Sequence, residues 1–158
     1  MSAAIKSERE HLNFLIGGWP TRIKDAADKK RVQELWTATM NYAQDNINHS
    51  APDVNDLIVV ADLFRMGHNV DIQGTAEECD SILKDVLKVA PENGEAHYVF
   101  AAFLVTSALG AAPLAEKHFL EAERLSIRRS IAIFIKAWHL PACIRIKTPK
   151  RLPILKSS

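Results

Sequence analysis

The chain has 158 residues, 47% hydrophobic and 25% charged, which is the composition of one ordinary globular domain. No apolar run approaches the roughly 20 residues that span a bilayer, and two cysteines far apart, Cys79 and Cys143, exclude a disulfide framework. The formal net charge of +1 hides an asymmetry: residues 1–126 carry 12 Lys/Arg against all 19 Asp/Glu (−7), and residues 127–158 carry 8 Lys/Arg and no acid (+8). Such a basic segment either folds back on the acidic body or binds an anionic surface, nucleic acid or an acidic protein.

The N-terminus mixes Lys6, Glu8, Arg9 and Glu10 and has no long apolar core, so no secretory signal is expected and a cytoplasmic location is the default. Residues 5–16 read as a short helix anchored by Ile5, Leu12, Leu15 and Ile16. Gly17-Gly18 stops it, and Trp19-Pro20 turns the chain. A long helical pattern follows over Thr21–Asn48, with Val32, Leu35, Trp36, Thr39, Met40, Ala43 and Ile47 on one face of a 3.6-residue period. After the break at His49-Ser50-Ala51-Pro52, Leu57, Val60, Ala61 and Phe64 make an apolar stripe for a helix near 53–66. Gly67-His68-Asn69 is expected to end it in a left-handed stop, leaving a loop over 67–74.

Thr75 with Glu78 three residues on predicts a capping box, and Cys79, Ile82, Leu83, Val86, Leu87 and Ala90 predict that helix's buried face. Cys79 therefore reads as a core residue rather than a reactive thiol. Pro91-Glu92-Asn93-Gly94 is the next turn. The helix after it, about 95–109, is apolar nearly all round, which predicts packing on more than one side. Gly110 ends it, and Pro113 opens a helix over 113–126 with Leu114, Ala115, His118, Phe119, Ala122 and Leu125 on one face. Residues 128–140 form one more helix or, from the IAIFI run, a strand. The stretch 141–158 is a basic tail expected to be loosely ordered.

The two best helical hairpins resemble the tetratricopeptide repeat, a pair of antiparallel helices in about 34 residues. The family's small, aromatic and proline positions of the second helix are taken by Cys79, Leu83, Val86 and Pro91, then 36 residues later by Ala115, Phe119 and Ala122. In the first helices, Leu57, Val60, Ala61 and Phe64 match its large-large-small-large pattern, as do His97, Phe100, Ala101 and Leu104. The resemblance covers roughly 53–126. It implies an all-α fold over 1–140, a right-handed stack of about three hairpins plus a C-terminal helix, with the basic tail outside it. Hairpins of this kind bury their faces only by stacking, and a stack carries an extended concave surface.

By register, the resemblance assigns a partner-binding groove to Asn55, Ile58, Asp62 and Arg65 of one unit and Tyr98, Ala102 and Val105 of the next. One family subtype grips a terminal carboxylate with Lys and Asn at these places. Ile58, Asp62, Tyr98 and Ala102 stand there instead, so an apolar groove holding a helix or extended peptide fits better.

Catalytic and metal chemistry find no motif. The six histidines make no HExxH and no i, i+4 pair, although His97 and His118 are placed to approach across a hairpin. There is no phosphate loop and no nucleophile elbow, so no cofactor, metal or catalytic residue is assigned. The expectation is a protein–protein interaction scaffold binding a protein or peptide. The alternatives are a small cytoplasmic secretion-type chaperone, or a binder of lipid or nucleic acid through Arg128, Arg129, Lys136, Arg145, Lys147, Lys150 and Arg151. If residues 128–140 leave the stack uncapped, self-association through that end is expected.

Overall fold

A computed structural model of the chain describes residues 3–18, 20–107 and 112–125. Among these residues the fold is all-helical, without a strand: α1 (Ala3–Ile16), α2 (Ala26–His49), α3 (Val54–His68), α4 (Thr75–Val89), α5 (Gly94–Thr106) and α6 (Ala112–Arg124). The further helix expected at 128–140, the basic tail and the seven basic residues assigned to an anionic-surface patch lie outside the described residues.

Local chemistry sets most helix ends. The pattern expected from Thr21 begins as a helix only at Ala26, because the Asp25 carboxylate accepts from the Asp28 backbone N–H at 2.8 Å and caps the first turn. At α3, Asp53 and Asp56 form a reciprocal capping box, each carboxylate accepting from the other's backbone N–H. Asn93 caps α5 by accepting from the Ala96 N–H at 3.0 Å.

Two expected helix signals are corrected. α3 does end within Gly67-His68-Asn69, at His68, but not in a left-handed stop: the cap residue Asn69 is right-handed at φ −66°. Gly67 instead lets the Trp36 indole lie against the backbone, since a Cβ there would come within 2.7 Å of the ring. The same indole donates its N–H to the Leu63 carbonyl at 2.6 Å. The left-handed positions come later, at Asp71 (φ 62°) and Gly74 (φ 77°). Nor does Thr75 cap α4. Gly74 occupies the cap position without a side-chain bond, and the buried Thr75 hydroxyl donates backwards to the Ile72 carbonyl at 2.6 Å.

The helices pack only on near neighbours. Consecutive helices touch throughout (α1 on α2, α2 on α3, α3 on α4, α4 on α5, α5 on α6), and α1 also touches α3, as α3 touches α5. Other pairs make at most a glancing contact among the described residues. In the last pair, His97 and Tyr98 near the start of α5 face His118 and Phe119 in the second half of α6, so these helices run antiparallel.

Two apolar clusters share α3 between them. The first joins Ile5, Leu12 and Ile16 of α1 to Trp36 and Met40 of α2 and to Val60, Leu63 and Met66 of α3. The second joins Ile58 and Ala61 of α3 to Cys79, Leu83 and Val86 of α4, Val99, Phe100 and Phe103 of α5, and Ala115 of α6. Each large side chain buried this way contributes about 1.5–3 kcal/mol. The apolar α5 is packed on more than one side, as expected, by α3, α4 and α6.

The close approach at Gly67 makes a direct prediction. Gly67→Ala forces a methyl into the Trp36 ring and lowers stability by about 1–3 kcal/mol. Gly18→Ala, where an added methyl meets nothing within 4 Å, shifts it by less than about 0.5 kcal/mol. Urea midpoints of the two variants separate these outcomes.

Candidate functional site

The seven residues assigned to the groove lie on α3 and α5, two helices in contact. They are not equally accessible. Asn55 is exposed and Tyr98 and Val105 are half-buried, but Ile58, Asp62, Arg65 and Ala102 are buried. These four therefore do not form open groove surface. Ile58 faces the second apolar cluster, and Asp62 and Arg65 are covered by α1.

The cover is a polar seam between two helices. Arg9 and Asn13 of α1, one turn apart, with the Ile16 and Gly17 carbonyls a turn further on, meet Asp62 and Arg65 of α3 and its cap residue Asn69. The Asp62 carboxylate accepts from Arg9 Nε at 2.7 Å on one oxygen and from Arg65 Nε at 2.8 Å on the other. Arg65 also donates Nη2 to Asn13 Oδ1 at 3.1 Å and Nη1 to the Gly17 carbonyl. Asn69 Nδ2 donates to the Ile16 carbonyl at 2.8 Å. The contacts advance in the same direction along both helices, so α1 and α3 run parallel.

A third helix joins through Arg9, whose Nη2 reaches Glu95 Oε1 of α5 at 3.2 Å. Arg9 and Glu95 were absent from the expected site. Their own helices gave no sign that they meet, being 86 residues apart. The signal that was present is the pair Asp62/Arg65, two opposite charges at i, i+3 in the otherwise apolar run 57–66 of α3.

Burial would raise the Asp62 carboxyl, but the Arg65 and Arg9 guanidiniums outweigh it and hold Asp62 below the usual carboxylate range. With both oxygens bonded to cations it is an anchor and not a general base. Burial likewise pushes the Cys79 thiol up, which leaves it protonated and poorly nucleophilic.

A second polar pair lies in the α5/α6 hairpin. His97 Nε2 is 2.9 Å from the Pro91 carbonyl, which can only accept, so that nitrogen carries the hydrogen. His97 Nδ1 then accepts from His118 Nδ1–H at 2.8 Å, and the Phe100 ring lies 4.7 Å from the His118 ring centre. Burial first, then His97 and Lys117, push His118 down to about 4 against the opposing pull of Glu121, so it is neutral at pH 7. Among the described residues no group of three or more His, Cys, Asp or Glu could hold a metal ion, and no helix is long and apolar enough to cross a membrane.

No protein-family model, curated protein or solved structure matches the chain.

Removing Asp62 leaves the buried Arg65 without its counter-charge, so Asp62→Ala costs about 3–5 kcal/mol. Arg9→Ala leaves Asp62 with one cation and costs less, about 1–3 kcal/mol. Chemical denaturation of the two variants gives this order, and equal or reversed losses contradict it.

The depressed His118 gives a pH dependence of definite sign. The unfolded chain takes up the proton near pH 6.5 and the folded chain only near 4, so stability is fully present above about pH 6.5 and declines as pH falls towards 4. Asp62, also depressed, loses its contribution only below the ordinary Asp range of about 3.9. Between pH 7 and 5 the wild-type urea midpoint falls, and in His118→Gln it falls less.

Proposed function

We propose that the chain is a protein–protein interaction module of tetratricopeptide-like build. Its helices pair as α1/α2, α3/α4 and α5/α6, and the pairs stack side by side. The first helices of the pairs, α1, α3 and α5, share a concave face that holds a partner peptide or helix.

The observation carrying this reading is the near-neighbour packing among the described residues, in which α1 touches α3, α3 touches α5, and α2 and α4 pack chiefly on the helices flanking them in sequence. Stacked repeats are held in this nearest-neighbour way. Burial repeats in the same register: Cys79, Leu83 and Val86 are buried, and so are Ala115, Phe119 and Ala122. Val60 and Ala61 of α3 are matched by Phe100 and Ala101 of α5.

The accessible part of the face is mixed rather than purely apolar. Asn55, Tyr98 and Val105 remain partner-facing, joined by the half-buried Arg9 and Glu95. The buried Ile58, Asp62, Arg65 and Ala102 set the spacing beneath them. Such a surface suits a segment with both apolar anchors and a charged group.

The test is a quantitative pull-down of full-length chain read by mass spectrometry. Val105→Arg places a charge on the face, and Ser81→Arg places the same charge on the exposed side of α4. The proposal expects partners that Ser81→Arg keeps and Val105→Arg loses by at least about tenfold, a change near 1.4 kcal/mol. Equal capture by wild type and both variants removes this face as the site.

A further inference from the structure

We infer that the His97–His118 pair is a pH-operated latch on α6, one that lets this helix open locally from α5 in mildly acid conditions. The inference is independent of the concave-face reading. Among the described residues α6 packs on α5 and makes at most a glancing contact with any other helix. The cluster shared by α1, α2 and α3 contains no α6 residue, so α6 can open while that cluster holds.

The two rings meet head-on. Their Nδ1 atoms are 2.8 Å apart and their centres 5.0 Å apart. The difference is close to twice the centre-to-atom distance of an imidazole, so both nitrogens lie near the line joining the rings. The Pro91 carbonyl, 2.9 Å from His97 Nε2, takes that ring's hydrogen in the neutral pair. His97 Nδ1 is therefore bare and accepts from His118 Nδ1–H. One added proton is tolerated, because one Nδ1 can still carry a hydrogen and the other a lone pair. A second proton puts a hydrogen on both Nδ1 atoms and a positive charge on both rings, and the bond between the helices is lost.

The surroundings do not offset that second charge. The Phe100 ring, 4.7 Å from the His118 ring, replaces water there. On α6, Lys117 opposes a charged His118 and Glu121 favours it, but Glu121 is already bonded to Arg124 at 2.6 Å. Arg124 is also drawn to Glu92 in the turn before α5. On α5 itself, Glu95 is engaged by Arg9. From α4 comes Cys79, whose thiol stays protonated. From α3 come the Asp62–Arg65 ion pair and His68, which stands edge-on to Phe103.

A free imidazole takes its proton near pH 6.5, whereas burial first, then His97 and Lys117, hold His118 in the closed hairpin down to about 4. Closure is fully supported above about pH 6.5 and loses support as pH falls towards 4. The opening constant of α6 thus rises about twentyfold between pH 7 and 5. Asp62 and Glu121, both held below their ordinary values, titrate beneath this window.

The experiment is native-state hydrogen exchange on the full chain at pH 7 and 5, corrected for the intrinsic effect of pH, with and without about 1 M urea. Amides of α6 are less protected than those of α3 at both pH values and lose about tenfold or more at pH 5. Their exchange responds little to urea, which marks an opening smaller than unfolding. In His118→Gln, whose amide can hydrogen-bond but does not titrate here, the loss shrinks below about threefold. In His68→Gln it persists. Imidazole nitrogen NMR of the wild type keeps the inference testable if His118→Gln fails to fold. At pH 8 it shows His97 as the Nε2–H tautomer and His118 as the Nδ1–H tautomer, and on acidification His118 titrates well below 6.5.

Protection of α6 that is unchanged at pH 5, that matches α3 in size and urea response, or that falls equally in His118→Gln overturns the inference. So does a His118 in the Nε2–H tautomer at pH 8, or one that titrates near 6.5.

Discussion

Asp62 is a carboxylate closed off from water between two arginines, and the arrangement of α1, α3 and α5 depends on it. A buried charge is tolerated only when paired and hydrogen-bonded, and both Asp62 oxygens have a guanidinium partner below 3 Å. One guanidinium comes from α3 itself and the other from α1. Arg65, equally buried, takes its remaining bonds from Asn13 and Gly17. Sliding α1 by a turn would strand Asp62 or Arg65, so the seam specifies register as well as attraction. Burying ions is not the cheapest route to stability, and well-packed apolar residues often do as well. The seam's distinctive contribution is to select one alignment of α1 on α3.

The apolar contacts supply the non-directional part. α3 has one side in the cluster with α1 and α2 and another in the cluster with α4, α5 and α6. It is therefore the element through which the two ends of the described fold are coupled. Small residues permit the close approaches: Ala61 and Ala101 are fully buried, and Gly67 admits the Trp36 ring. Arg9 extends the coupling to α5 at the edge of the core, where solvent still reaches it.

Helical periodicity made the six described helices and most of their buried faces legible in the sequence. Val32, Trp36, Met40 and Ala43, or Cys79, Leu83 and Val86, need only a 3.6-residue count to be found. His97 and His118, expected to approach across a hairpin, have their Nδ1 atoms 2.8 Å apart. Local stop and cap signals were less faithful because packing competes with them. Gly67-His68-Asn69 read as a left-handed stop, yet the helix ends there right-handed, and the missing Cβ of Gly67 is used by an indole from another helix. Thr75 read as a cap, yet Gly74 had already turned the chain and left the hydroxyl facing back into the loop. Asp62 and Arg65 read as groove lining by the register of the tetratricopeptide resemblance, yet both are buried. What covers them is α1 with Gly17 after it: Arg9 meets Asp62 from 53 residues away, Asn13 and Gly17 meet Arg65, and no local pattern carries those pairings.

One ionic seam joins α1 to α3 and α5. Native-state hydrogen exchange of wild type and Arg9→Ala tests it most directly. The account predicts that the hydrogen-bonded amides of α1 and α3 share one level of protection in wild type. In Arg9→Ala, α1 should lose protection by at least about tenfold relative to α4 and α6. Amides of α1 that exchange independently of α3 in wild type, or that keep their protection without Arg9, would contradict it.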